Sequence, residues 1–238
     1  MLRARRTAEI LWPATNGPVR VEDDLREIDF GLWEGKTFQE VAAGWPAEVN
    51  CWAAFAAGVN VVRLHTGEPS IYGAIGEQMD ALDRLGIEYQ IVPGISAFQA
   101  AAAALRTELT APEVSQTVIL TRTAGRTPVP PSEELGRLAA SQATLCIFLS
   151  TGKIAKLVET LAPHYGRDCP AAAVYHASWP DQKVVRATLA DIAARTEAEG
   201  ITRTAILLVG RALERPLPHT SKLYDKDFGH GYREGTTK

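Results

Sequence analysis

Four short loops rich in glycine, proline and hydroxyl residues are where this chain could do chemistry: HTGEPSIYG (65–73), VPGISAF (92–98), LSTGK (149–153) and HASWP (176–180). Each follows an apolar run of strand-like composition, and in open α/β sheets ligands sit beyond the carboxyl ends of such strands. Gly67 and Gly94 allow close backbone approach to a bound molecule, while Pro69 and Pro93 hold the turns. Taken singly, each glycine reads first as a tight turn at a strand end; the succession of loops carries the argument. Other chemistry-bearing residues are dispersed. His65, His164, His176, His219 and His230 show no HExxH or paired spacing, so they read as surface or structural residues and no metal site is expected. Cys51, Cys146 and Cys169 form no CxxC and read as small buried hydrophobes, which fits a reducing cytoplasm. Trp12, Trp33, Trp45, Trp52 and Trp179 are scattered and suggest no base-stacking platform.

The elements that must position these loops follow from composition and pattern. The chain has 238 residues with 46% hydrophobic content, enough for one large core or two ordinary ones. Lys plus Arg number 25 against 28 Asp plus Glu, and the net charge of -3 gives no reason to expect nucleic acid or an anionic membrane as partner. No run of about 18 apolar residues exists, and the basic start MLRARR has no apolar signal core behind it, so neither export nor membrane insertion is expected.

Residues 3–12 have helix-forming composition, broken by PATNGP; a short VRV strand and the turn-rich LREIDFGLWEG (25–35) follow. Thr37 with Glu40 has capping-box spacing for another helix. From Val59 the texture changes to β-branched runs alternating with Ala/Leu helices: VNVVRLHTG, a helix near 75–85, IEYQIVPG, then AFQAAAAAL. A second series runs TVILTR, a helix near 133–140, TLCIFLS, a helix from about 154 to 161, PAAAVYHA, a helix around 189–199, and TAILLVG. This alternation predicts an α/β fold of parallel strands with crossover helices, its seam near Pro112 to Ser115. The tail beyond Arg211 is expected to fray near its end.

In that order, RLHTGEPSIYGA, VPGISAFQAAAAAL, VSQTVILTRTAGRTPVP, TLCIFLS and ITRTAILLVGRAL resemble the tetrapyrrole methylase family, from about Ala56 to Asp227. VSQTVILTRTAGRTPVP resembles its precorrin-4 C11-methyltransferase branch in particular. The resemblance implies a two-domain α/β fold with S-adenosylmethionine in the cleft between the domains, acting on a small-molecule tetrapyrrole of cobalamin synthesis. Carried over residue by residue, the cofactor contacts are Thr66, Gly67, Glu68, Ile71, Ser96 and Ala97, then Leu149, Ala177, Thr204 and Ala205. The family usually has Asp where this chain has Glu68, which keeps the charge but moves the carboxylate by about one methylene. Since the implied substrate is a polycarboxylate, loop arginines Arg122 and Arg126 are candidate substrate contacts. Methyl transfer from a sulfonium to carbon needs no covalent enzyme intermediate, so the lack of a triad or metal cluster does not count against this reading, and the catalytic residues stay unassigned. A homodimer remains open.

Residues 1–55 lack the GxGPG loop with which family members begin; instead RARRTAEIL and LREIDFGLWEGKTFQEV resemble a fragment of α-ribazole phosphatase, in the histidine phosphatase family. Arg3 and Glu27 match that family's phosphate-binding arginine and acid/base glutamate, but no RHG segment with the nucleophilic histidine is present. The expected layout is a phosphatase-like segment (1–55), a remnant of a first methylase domain (56–114) and a second methylase domain with its tail (115–238). Two functional readings follow: a working methyltransferase, or a truncated fusion that folds without catalysing.

Overall fold

The structure, a computed structural model, describes residues 62–125 and 127–215. Arg126 and the phosphatase-like segment lie outside the described residues, as do the helices expected before residue 55. Two compact units divide between Ser96 and Ala97.

In the first unit, helix α1 (Gly76–Arg84) forms where the sequence predicted one, with Glu77 in its first turn and Arg84 in its last, each favourable to the helix dipole. It ends in a Schellman motif. Gly86 takes φ 65°, its N–H reaches Asp83 O at 3.1 Å, and Ile87 N–H reaches Leu82 O at 3.0 Å. The strands expected in NVVRLHT and IEYQIVPG are absent among the described residues, where 62–66 and 87–95 carry no ladder bonds. β-Branched composition favours a pleated surface only where a neighbouring strand supplies the hydrogen bonds. Their apolar side chains accordingly stay exposed, Ile95 at 70% and Val92 at 57%.

The second unit opens with helix α2 (Ala97–Ala104) and is built on a five-stranded sheet. Along the chain come β1 (Val118–Arg122), α3 (Leu135–Ala139), β2 (Thr144–Phe148), α4 (Ile154–Tyr165), β3 (Pro170–Tyr175), β4 (Lys183–Thr188), α5 (Ile192–Ala198) and β5 (Ala205–Val209). The spatial order is β1-β2-β5-β3-β4. Every strand and helix anticipated here forms, but the all-parallel expectation fails: only β1 and β2 are parallel, and the other three pairs are antiparallel. The reason lies at 176–182, a turn between β3 and β4 too short for a crossover. Strand β4 was not anticipated, because KVVRAT sits at the sheet edge and buries only Val185.

Successive residues of the central strands alternate between two cores. Leu207 and Val209 of β5 join Leu145, Ile147, Ala171 and Ala173 against α4 and α5. Ile206 and Leu208 join Cys146, Ala172 and Val174 against Ala101 and Leu105 at α2. Burial on both faces is why these strands read as continuous apolar runs. Arg186 and Arg215 donate to the carbonyls of Leu105 and Arg106, capping the end of α2. No helix among the described residues is long and apolar enough to cross a membrane.

Cys146 and Cys169 are both fully buried, and burial pushes their thiols up to about 12 and about 11. Iodoacetamide at pH 8 is therefore expected to leave both unmodified until denaturant is added, read by peptide mass spectrometry. Alkylation of either in the native chain would contradict the packing of this sheet.

Candidate functional site

The first unit ties two of the four loops together around one carboxylate. Glu68 Oε1 accepts hydrogen bonds from the Ser70 hydroxyl (2.7 Å) and the Ser70 N–H (3.1 Å), and Oε2 accepts from Gly94 N–H at 2.7 Å. These donors, the Ser70 hydroxyl foremost and then the Gly94 N–H, hold the Glu68 carboxyl below the usual carboxylate range. Backbone meets backbone at the same place: a Cβ on Gly94 would lie 2.0 Å from Gly67 O. Gly67 itself takes φ 69°, and Ile71 N–H closes the turn onto Glu68 O at 3.2 Å. Thr66 is exposed beside this turn, and Ser96 is 2% exposed.

The second unit gathers Arg122, Leu149, Ala177, Thr204 and Ala205 at one end of its sheet, while Ala97 opens α2. Arg122 ends β1 opposite Phe148, so Leu149 follows on the adjacent strand. The antiparallel β5 begins at that same end, with Ala205 opposite Tyr175. Thr151 Oγ1 donates to Ala205 O at 2.9 Å and accepts from Ala205 N–H at 3.3 Å, joining the LSTGK loop to β5. His176 N–H reaches Thr204 O at 3.3 Å, joining the HASWP loop to the same point. Leu149, Ala177, Thr204 and Ala205 are thus assembled by chain segments far apart in sequence.

Four of the nine non-glycine residues with positive φ among the described residues lie there. Leu149 (φ 52°), His176 (45°), Ser178 (68°) and Thr204 (57°) all lie in the left-handed region, which costs roughly 1–3 kcal/mol for a non-glycine residue and persists only where the surroundings impose it. Leu149 combines this conformation with 76% exposure, presenting an apolar side chain at the mouth of the sheet. The His176 ring stacks on Tyr175, with centroids 3.7 Å apart, and its Nδ1 is paired with Asp181 at 2.9 Å.

Arg122 is largely engaged in shaping its own loop: Nη1 donates to Thr127 O and Nη2 to Pro128 O, each at 3.0 Å. Lys153 Nζ donates to Ala124 O at 2.6 Å, and Ser150 Oγ bonds Thr123 N–H at 3.1 Å. The sequence reading missed Ser70, Ser150, Thr151, Lys153 and Asp181. Their signal was position alone, polar residues within or just after strand-end loops, and a hydroxyl there has too many ordinary uses to stand out. A depression of about 290 Å³ lined by Asp83, Gly86, Ile87, Glu88 and Tyr89 contains none of the candidate residues.

The loops of each unit are lined by backbone groups and small side chains, with Leu149 an exposed apolar residue of the second unit. The family of tetrapyrrole (corrin/porphyrin) methylases matches over residues 3–193, a range that takes in most of the segment read above as phosphatase-like. A cobalt-precorrin-4 C(11)-methyltransferase of Methanocaldococcus jannaschii is 53% identical over 182 residues, covering 76% of this chain and 70% of that protein. A precorrin-4 C(11)-methyltransferase of Pseudomonas aeruginosa is 53% identical over 178 residues, covering 75% of this chain and 71% of its own. Among solved structures, a cobalt precorrin-4 methyltransferase of cobalamin biosynthesis matches with a TM-score of 0.68 and 41% identity over 76% of this chain and 73% of that one. With the family model matched across most of the chain's length, this chain belongs to the tetrapyrrole methylases.

Proposed function

We propose that the chain methylates precorrin-4 at C11, using S-adenosylmethionine, in corrin-ring biosynthesis. The observation that carries this reading is the 53% identity to precorrin-4 C11-methyltransferases over three-quarters of the chain. S-adenosylmethionine, when bound, supplies a methyl group activated by its sulfonium. What the protein adds is position: holding a reacting pair in line is worth up to ~7–11 kcal/mol of the barrier, while the proton released on methylation leaves to solvent.

The proposed cofactor contacts fit that task. Thr66, Gly67, Ile71, Ser96 and Ala97 offer backbone groups and small side chains. Leu149 offers an exposed apolar surface, while Ala177, Thr204 and Ala205 leave room at the sheet end. For the polycarboxylate substrate, Arg126 is the proposed direct contact, and Arg122 holds the loop that carries it.

The test is to incubate the purified chain with S-adenosylmethionine and precorrin-4, with and without cobalt, and to look for a product heavier by one CH2, a methyl group gained and a proton lost. Formation of the C11-methylated product is expected. A folded chain that forms neither product would favour the truncated, non-catalytic reading instead.

A further inference from the structure

We infer that Glu68 is a positioning residue that acts through Ser70 and Gly94, locking the two glycine loops of the first unit into one rigid surface, rather than a group that touches the cofactor itself. The inference deepens the proposed function and rests on it for the meaning of those loops.

Three observations converge on this role. First, the carboxylate is used at both ends: Oε1 holds two donors of Ser70 in its own loop, and Oε2 holds the Gly94 N–H, 26 residues further on. Second, these bonds draw the loops to the limit of approach, since any Cβ on Gly94 would meet Gly67 O at 2.0 Å. Gly94 leaves no room for a Cβ, and Gly67 takes its φ of 69° without the strain a side chain would bring. Third, the described residues of this unit lack the ladder bonds that would otherwise fix VPG against TGEPS. Among the described residues the Glu68 carboxylate is a side-chain tie between them.

The chemistry also explains why an anion is needed. A carboxylate accepts at both oxygens, whereas a Gln amide would turn its NH₂ group toward one of two backbone N–H donors. A residue serving in this way carries no requirement to face the ligand's charge.

The experiment compares the full chain with its Glu68→Ala, Ser70→Ala and doubly substituted variants. Hydrogen exchange over residues 91–96 is measured without ligand, and calorimetry with S-adenosylmethionine and S-adenosylhomocysteine follows. Glu68→Ala is expected to speed exchange at Gly94 by about tenfold or more, reflecting the lost charge-assisted bond. It is also expected to weaken both ligands equally, by about 10- to 100-fold, with the KM for S-adenosylmethionine rising while kcat stays within about twofold. Ser70→Ala should give a smaller loss, and the double variant should bind no worse than Glu68→Ala alone, because the serine acts through the same carboxylate. Unchanged exchange at 91–96 would overturn the inference. So would additive losses, or a loss at least about tenfold greater for the cationic sulfonium than for the neutral thioether, which would mark Glu68 as a direct partner of the charge. If Glu68→Ala does not fold, exchange and affinity in Ser70→Ala decide alone, the unmodified values overturning the inference. If the unmodified chain binds neither ligand, the proposed function fails and the exchange result still judges the clamp.

Discussion

Gly94→Ala is expected to reduce S-adenosylhomocysteine affinity by about 100-fold while leaving the second unit's melting transition in place. The new methyl group would sit 2.0 Å from Gly67 O, a contact that no rotamer change relieves because both partners are backbone. One loop must move. Moving it stretches the 2.7 Å bond from Gly94 N–H to Glu68, a bond to a charged acceptor worth ~1.5–3 kcal/mol, and overpacking typically costs ~1–3 kcal/mol more. A combined cost near 3 kcal/mol corresponds to a little over 100-fold in affinity. Gly76→Ala serves as the control: its Cβ would meet nothing within 4 Å, so the helix should tolerate it with binding unchanged. Calorimetry on both variants reads the difference. Equal affinities for Gly94→Ala and the unmodified chain would show that this loop does not contribute to the cofactor site.

Leu208→Ala is expected to destabilise the second unit by ~2–5 kcal/mol in urea unfolding followed by circular dichroism. Leu208 is fully buried on β5, between β2 and β3, where it packs with Cys146, Ala172 and Val174 beneath α2. Its neighbours are on strands hydrogen-bonded on both sides, so they cannot collapse into the cavity. Val184→Ala on the edge strand, 38% exposed, should cost less than about 1 kcal/mol. Similar losses for the two would mean that the sheet is not the unit's core.

How much of this was legible in the sequence depends on how local each feature is. The apolar runs TVILTR, TLCIFLS and TAILLVG announced buried strands because both of their faces are covered. Helix α4 was visible through Ile154, Leu157, Val158 and Leu161, which recur on one face and are all buried. The edge strand β4 was not, since one buried valine among exposed neighbours leaves little pattern. The strands expected in NVVRLHT and IEYQIVPG illustrate the opposite error, where composition was read correctly but the pairing that makes a strand is not a property of the segment.

For the candidate site the division is similar. The four loops could be named from glycine, proline and their place after apolar runs, although only LSTGK and HASWP follow strands among the described residues. The succession of motifs placed the chain in its family, which the comparisons bear out. The methyltransferase chemistry followed from that succession. The direction of each strand, and which loops share an end of the sheet, depended on a turn at 176–182 that reverses the chain where a crossover was expected. The partners of particular side chains were decided only in three dimensions: Glu68 with Gly94, Thr151 with Ala205, and Arg122 with the carbonyls of its own loop. Periodicity and local propensity are written along the chain and survive reading in one dimension. A hydrogen bond between residues 26 or 54 positions apart is not, because its existence depends on how every intervening element packs.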